Sequence, residues 1–275
     1  MLSINTNLNA QNAANQIANS QKAINTASER LTTGLRINNS ADDVSGMGLA
    51  SRLAKTSTQT AQYTENASNG ISLLQTADAA YKQQAELTAR LGELAFKAEN
   101  GSNSTEDRAL IQKEFDQLTE ELQRNYDNAE YNGTNIFDGG MGVSIAVGEG
   151  TDNQIDVNLT DTQDLITALQ AVVLDGHADG DEWVTAVHEI IENFADEVTN
   201  ARADIGAVQN RLEFTTQNLQ AYKQNIDASL SLTQDTDYAQ ETTNLAKANV
   251  LKNASQSMLS QANQSMDDVV NKLLN

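Results

Sequence analysis

The sequence predicts a mainly α-helical protein, built as a long helical hairpin and coiled-coil bundle. Three observations support this fold class. The 275 residues include no Pro, so long helices can run without the kinks that Pro introduces. Apolar residues recur every ~3.5 residues near both ends and in the middle, which is the coiled-coil period. Only 39% of residues are apolar and 4% aromatic, so we expect a thin core drawn out along the helices.

Both ends of the chain carry an apolar helical stripe. We predict one helix within residues 1–42, interrupted at Gly34, and another that runs up to Asn275. The stripes comprise Ile17, Ile24 and Leu31 in the first helix and Leu259, Ala262, Met266, Val269, Val270, Leu273 and Leu274 in the second. Such a stripe needs a partner helix to cover it. We therefore expect each terminal segment to dock against something outside its own domain, with seams that stay open in a lone molecule and close in an assembly.

Two further helices are predicted before the middle of the chain. Residues 43–100 carry a strict four-three stripe, of which Gln84 is the one polar member and is expected to fix the register. Its apolar members are Leu73, Ala77, Ala80, Leu87, Leu91, Leu94 and Ala98. Ser104 and Asp107 form a capping-box pattern that opens the next helix, which we expect to run to Asn125.

In the middle of the chain the apolar residues no longer follow the helical period. Val143, Ile145 and Val147 alternate with small residues, and Ile155, Val157 and Leu159 alternate with polar ones, so residues 143–159 are predicted to form a β-hairpin around Gly148-Glu149-Gly150. A short helix is expected over residues 164–174. From Glu182 a stripe of more than five heptads predicts a third long bundle helix, with a break at residues 234–237.

These elements predict three parts of the chain. Residues 1–42 with 235–275 are the paired terminal helices, residues 43–138 with 181–234 are the helical bundle, and residues 139–180 are a short acidic tip that contains the β-hairpin. No Lys or Arg lies between Arg124 and Arg202, and the net charge of the chain is −21. Such a surface repels nucleic acid and anionic membranes, so neither is an expected partner.

Two patterns in the sequence resemble metal sites. The segment His188–Glu192 is close to a zinc-protease helix, but Glu192 stands where the second His is needed, so we expect no zinc and no catalysis. The segment Asp175–Gly180 resembles the start of a calcium loop, but Ala186 stands where the bidentate Glu belongs. An acidic exposed turn is the favoured interpretation, and calcium binding is left open. There is no Cys, so thiolate sites and disulfides are excluded.

Several strings, taken in order from both ends, resemble bacterial flagellin, the filament subunit of the flagellum. They are Ile4-Asn5-Thr6-Asn7, the run Glu29–Asn38, Ala41-Asp42-Asp43, the run Asn69–Ala77, Asn132-Gly133 and Gln261-Ala262-Asn263-Gln264 with the apolar end 269–274. The resemblance covers residues 2–138 and about 190–275. It implies a subunit exported through the flagellar secretion system that polymerises outside the cell, with the outer central domain reduced.

The resemblance also implies partners and site residues. The terminal helices would form the inner core of the filament, and residues 8–37 and 245–274 would drive polymerisation. The expected interface residues are Leu8, Ile17, Ile24, Leu31, Leu35, Arg36, Ile37, Asp42, Asp43, Met258, Leu259, Ala262, Met266, Val269, Leu273 and Leu274. Other implied partners are hook-associated junction and cap proteins, the export apparatus and a chaperone on the C-terminal segment. Arg90, Glu93, Leu94 and Glu114 occupy places that Toll-like receptor 5 reads in many flagellins, although Gly92 departs from that pattern.

Three alternatives stay open on the sequence. A hook–filament junction protein would share both terminal patterns but join rather than polymerise. A secreted helical adhesin would form no polymer and would bind through the acidic tip. A flagellin-linked protease would require zinc. The strings Gly34–Asp43 and Asn69–Ala77 favour a structural filament subunit without catalytic activity.

Overall fold

The computed structural model confirms the predicted helical fold class. It describes residues 6–137, 142–174 and 181–274, without the side chains of residues 181–184, 269 and 272–274. The helices over these residues are α1 (Leu8–Thr33), α2 (Val44–Glu99), α3 (Thr105–Asn128), α4 (Gln163–Gln170), α5 (Asp181–Gln234) and α6 (Tyr238–Leu274). The strands are β1 (Glu130–Tyr131), β2 (Thr134–Asn135), β3 (Gly142–Ala146) and β4 (Gln154–Asn158). Within the described ranges, no helix is long and apolar enough to cross a bilayer.

The chain divides into two compact units. We call Met1–Ser57 with Gln224–Asn275 the terminal unit, and Thr58–Lys223 the bundle unit. Because α2 and α5 each contribute to both, the long helices carry the chain from one unit into the other.

In the terminal unit, α1 and α6 pack closely as an antiparallel pair. Asn7 Nδ2 donates to the Ala262 carbonyl over 3.0 Å at one end, and Tyr238 Oη donates to the Leu31 carbonyl over 3.2 Å at the other. Most buried positions of the seam are small residues, namely Ala13, Ser20 and Ala27 on α1 and Ala248 and Ser255 on α6. Side chains of this size let two helix backbones approach closely, which explains the tight pairing.

The bundle unit buries the stripes of α2, α3 and α5 in one core. Its largest fully buried side chains include Tyr81, Leu91, Phe115, Leu122 and Phe194. The predicted polar member Gln84 is 0% exposed and accepts a hydrogen bond from Thr162 Oγ1 at 3.4 Å. The capping box is present as predicted, since the Asp107 amide donates to Ser104 Oγ and the Ser104 amide donates back to the Asp107 carboxylate.

The predicted β-hairpin packs on this bundle. β3 and β4 pair antiparallel with Val143 opposite Val157 and Ile145 opposite Ile155. Asn66 of α2 donates through Nδ2 to the Ala146 carbonyl at 3.1 Å, which ties the hairpin to the helix. A second, two-residue hairpin joins β1 and β2 around Asn132-Gly133, both at positive φ, as this turn type requires. The predicted helix over 164–174 is shorter than expected, because α4 ends at Gln170.

Two helical glycines should respond in opposite ways to replacement by alanine. A Cβ on Gly70 would overlap Ile145 Cδ1 and crowd Ile145 Cγ1 at 3.2 Å, whereas a Cβ on Gly206 meets no heavy atom within 4 Å. We expect Gly70→Ala to destabilise the bundle unit by ~1–3 kcal/mol through overpacking. We expect Gly206→Ala to stabilise it by up to ~1 kcal/mol through helix propensity. Denaturant midpoints of the two variants check this, and two changes of the same sign would contradict it.

Candidate assembly surface of the terminal unit

The junction between α1 and the long helices is held by backbone hydrogen bonds. The first helix ends at Thr33 because Gly34 adopts φ +74°, and the Gly34 amide closes the last turn on the Arg30 carbonyl at 2.8 Å. The interruption predicted at Gly34 is confirmed, and the helix does not resume before Val44. Leu35 instead bridges Asp235, and the Arg36 amide donates to the Gln234 carbonyl at 2.6 Å.

Ile37 is buried inside its own chain. Its side chain is 1% exposed, and its Cδ1 would lie 2.6 Å from a Cβ on Gly46. Asp43 stabilises the start of α2 beside Ile37, since its Oδ1 accepts a hydrogen bond from the Gly46 amide at 2.8 Å. The expectation that Ile37 contacts a neighbouring subunit is therefore corrected: it packs the junction. Arg36 also acts within the chain, donating through Nη2 to the Thr233 carbonyl at 2.7 Å.

Asp42 stabilises the turn that precedes α2. One oxygen, Oδ2, accepts from the Asn39 amide at 2.9 Å and from the Asn38 amide at 3.1 Å. The Asn39 hydrogen bond, followed by that of Asn38, lowers the pKa of the Asp42 carboxyl. Both bonds favour the charged form, so the turn is strongest when Asp42 is ionised.

The lowered pKa of Asp42 predicts a pH dependence of stability. The stabilisation is complete above the unfolded-state pKa of ~3.9 and is lost as pH falls through the lower folded-state value. We expect Asp42→Asn to be less stable than the wild type near neutral pH, with the gap closing in strong acid. Paired denaturant unfolding of the monomers at several pH values measures that gap. A gap that is constant with pH would contradict the assigned role.

The apolar seams predicted from the sequence are largely closed within one chain. The half-buried residues along the contact of α1 with α6 are Ile17, Ile24, Leu31, Leu259, Ala262 and Met266. Each helix covers the other, so the expectation that these seams stay open in a lone molecule does not hold for this conformation. Leu35 is half-buried at the junction. The side chains of Val269, Leu273 and Leu274 lie outside the described part of the chain.

A different set of apolar side chains faces outward from the terminal unit. Leu8 and Met258, both predicted interface residues, are 64% and 65% exposed. Six more large apolar side chains of this unit are exposed and were missed: Val44, Leu49, Leu232, Tyr238, Val250 and Leu251. The seven-residue spacing of Leu251 and Met258 was the available signal. We call these eight residues the outer apolar set.

Shallow grooves run beside members of this set. Met258 lines one groove with Asn9 and Ala13, and Leu251 lines another with Lys22 and Ala23. Both grooves have walls from α1 and α6, so a helix laid against the pair would contact both chain ends together. This geometry suits the docking of another helix more than the enclosure of a small molecule.

The two units differ strongly in net charge. The terminal unit holds eight Lys and Arg against nine Asp and Glu, a net charge of −1. The bundle unit holds nine against 29, a net charge of −20, so it carries nearly all of the −21. Copies of the terminal unit can therefore approach each other with little repulsion, whereas copies of the bundle unit repel.

The predicted innate-receptor surface is partly polar and partly buried. Arg90 donates through Nη1 to Glu93 and through Nη2 to Glu114, each at 2.6 Å. The Glu114 bond, then the Glu93 bond, raises the pKa of Arg90. Leu94, however, is 1% exposed and belongs to the bundle core. It is therefore corrected from a surface residue to a packing residue, because it lies on the buried stripe of α2.

The metal hypotheses gain no geometric support. The His188 ring packs against Phe96 in a tilted arrangement, with ring centroids 4.2 Å apart. Among the described residues, no group of three His, Cys, Asp or Glu is placed to hold a metal ion. The segment Asp175–Gly180 and the side chain of Glu182 lie outside that part of the chain.

The fold first defines a structural class. The architecture is shared with a solved protein of Vibrio parahaemolyticus described as flagellar hook-associated, with a TM-score of 0.62 over 70% of this chain and 99% of that one. The identity is 17%, so this likeness concerns the fold alone. The class is that of long helical bundle proteins.

The sequence identifies the family within this class. The family model for the bacterial flagellin N-terminal helical region matches residues 4–141, and that for the C-terminal helical region matches residues 188–273. The chain belongs to the bacterial flagellin family. It is 34% identical to a flagellin of Halalkalibacterium halodurans and 32% identical to one of Bacillus subtilis, each over 98% of this chain and 99% of the relative. It is 30% identical to a flagellar filament core protein of Treponema phagedenis, with the same coverage.

Proposed function

We propose that this protein is the structural subunit of a flagellar filament and works by self-assembly through its terminal unit. The observation that carries the proposal is the combination of near-neutral charge and the outer apolar set in one unit, beside a bundle unit of net charge −20. The terminal units would form the inner wall of the filament and the bundle units the next shell. The predicted tip, residues 139–180, would face solvent.

The outer apolar set supplies the driving force. Burial of each large apolar side chain against a neighbour contributes ~1.5–3 kcal/mol. Loss of translational freedom and ordering of the helices oppose association. One contact is therefore weak, and a stable polymer needs each subunit to touch several others at once.

The test compares two exposed apolar side chains on different units. Met258 on α6 is 65% exposed and Phe214 on α5 is 71% exposed, so replacement by Gln should cost each monomer little. Purified wild type is expected to form long filaments in electron micrographs. Met258→Gln should raise the critical concentration about tenfold or more, through loss of ~1.5 kcal/mol or more. Phe214→Gln should change it much less. A larger effect from Phe214→Gln than from Met258→Gln would contradict the proposed surface.

Assembly should also depend on salt. Filament formation brings bundle units of like charge close together, and screening at ~0.15 M salt confines this repulsion to about 8 Å. We expect the critical concentration to fall as salt rises from low to physiological levels. Sedimentation of polymer across a salt series measures it, and a flat dependence would argue against crowding of acidic faces.

The proposal also includes specific binding partners. Export through the flagellar secretion system, a chaperone on the C-terminal segment, and junction and cap proteins at the filament ends are what a filament subunit requires. Recognition by Toll-like receptor 5 would use the polar cluster of Arg90, Glu93 and Glu114, since Leu94 is buried. We assign no catalytic role. The filament-protein relatives support a filament subunit over a junction protein.

A further inference from the structure

The turn between α2 and α3 contains an asparagine arranged for spontaneous chemistry. Asn100 and Gly101 are exposed just beyond the last residue of α2. The Asn100 side-chain oxygen Oδ1 accepts two hydrogen bonds from one residue, 3.1 Å from the Ser102 amide and 2.9 Å from Ser102 Oγ. The Gly101 amide donates to no atom of the described chain, and no heavy atom beyond Asn100 and Ser102 lies within 4 Å of a Cβ built on Gly101. The amide is thus unblocked and its carbonyl target is polarised.

We propose that Asn100 is a self-modification site at which the Gly101 amide nitrogen attacks the Asn100 side-chain carbonyl and releases ammonia. The Gly101 nitrogen gives its proton to water or hydroxide and forms a bond to Cγ. The bond from Cγ to Nδ2 then breaks as Nδ2 takes a proton from water and leaves as ammonia. The product is a five-membered succinimide. Water opens this ring at either carbonyl, leaving aspartate or isoaspartate, so the net reaction consumes one water and yields one ammonia.

Ser102 assists the step that forms the ring. Negative charge develops on Oδ1 as Gly101 attacks, and two donors already placed on that oxygen stabilise it. Ser102 touches the reacting atom directly through its amide and hydroxyl. Because the site is open to water, the benefit of each donor is modest compared with that in a closed enzyme site.

Two other Asn-Gly pairs of the chain serve as internal comparisons for Asn100. The pair Asn69-Gly70 lies inside α2, where the Gly70 amide belongs to the helical hydrogen-bond ladder and Gly70 is buried. The pair Asn132-Gly133 lies in the exposed β1–β2 turn, where the Asn132 side-chain oxygen accepts no hydrogen bond from the described chain. The expected order of reaction is therefore Asn100 first, Asn132 second and Asn69 last.

Modification would act on the local structure in two ways. A carboxylate at residue 100 adds negative charge beside Glu99 at the C-terminal end of α2, where the helix dipole disfavours it. Isoaspartate also inserts an extra methylene into the backbone four residues before the Ser104 cap of α3. Each subunit would thus accumulate charge and a distorted turn with age.

The experiment follows all three asparagines in one sample. The full-length protein is incubated in mildly alkaline buffer, digested, and its peptides are quantified by mass spectrometry with enzymatic isoaspartate labelling. Conversion at Asn100 should outpace that at Asn132 and Asn69. Ser102→Ala should slow Asn100 about fivefold through loss of one hydrogen bond while leaving Asn132 unchanged, and Ser102→Thr should restore the rate.

Two results would overturn the proposal. One is faster conversion of Asn132 or Asn69 than of Asn100 in the wild type. The other is an unchanged or increased Asn100 rate in Ser102→Ala, which would mean that the Ser102 hydroxyl restrains the turn and does not assist the reaction.

Discussion

Deletion of residues 245–275 is expected to abolish filament formation and to leave a monomer with a folded bundle unit. The deletion removes most of α6 and with it Val250, Leu251 and Met258 of the outer apolar set. It also uncovers the seam of α1, because Ile17 and Ile24 lose the helix that half-buries them. The bundle unit ends at Lys223, so its core is untouched.

Two measurements on this truncated chain separate assembly from folding. Sedimentation and electron microscopy should find no polymer at concentrations where the full chain is fully assembled. Circular dichroism should show a helical protein whose main denaturant transition, reporting the bundle unit, keeps its midpoint. Filaments formed by the truncated chain would show that the polymer is built from another surface.

Replacement of Phe194 by alanine should cause the largest loss of stability among the side-chain changes considered. Phe194 is 0% exposed in the shared core of the bundle unit. Its truncation removes buried apolar area and leaves a cavity, at a cost of ~3–5 kcal/mol. That is a large fraction of the ~5–15 kcal/mol that stabilises a typical domain, so the bundle unit should be close to unfolding.

Phe214 provides the matched control on the same helix. It is also in α5 and in the bundle unit, but it is 71% exposed. Phe214→Ala should change the denaturant midpoint little, since surface substitutions lie mostly within ~0.5 kcal/mol. Equal losses for the two variants would mean that the stripe of α5 is not the buried face.

The long helices and the β-hairpin were predictable because their signals are local and periodic. Absence of Pro, the four-three stripe of α2 and the Ser104–Asp107 capping box each act within a few residues along the chain. The alternation in residues 143–159 predicted the β3–β4 pairing for the same reason. The differences are small: α4 ends at Gln170, no helix resumes between Gly34 and Val44, and the turn expected at Asn132-Gly133 is flanked by the two-residue strands β1 and β2.

The outward surface was harder to predict because a stripe does not reveal what covers it. The same periodicity is satisfied by a helix of another subunit or by one from the far end of the same chain. In this structure α6 covers Ile17 and Ile24 of α1. Ile37 and Leu94 were misplaced for a related reason: resemblance to a surface motif does not specify burial, and both side chains are 1% exposed. Val250 was missed because single exposed apolar residues are common on helices.

Hydrogen exchange of monomer and filament tests the central claim most directly. The claim is that the terminal unit is the assembly surface, so that the α1–α6 pair, closed within one chain, is stabilised further when neighbouring copies cover its outer face. We predict that the amides of α1 and α6 exchange much more slowly in the filament than in the dilute monomer, while the core amides of α2, α3 and α5 within residues 58–223 are protected in both. If α1 and α6 were already as protected in the monomer as in the filament, with the gain confined to the bundle unit, the account would be contradicted.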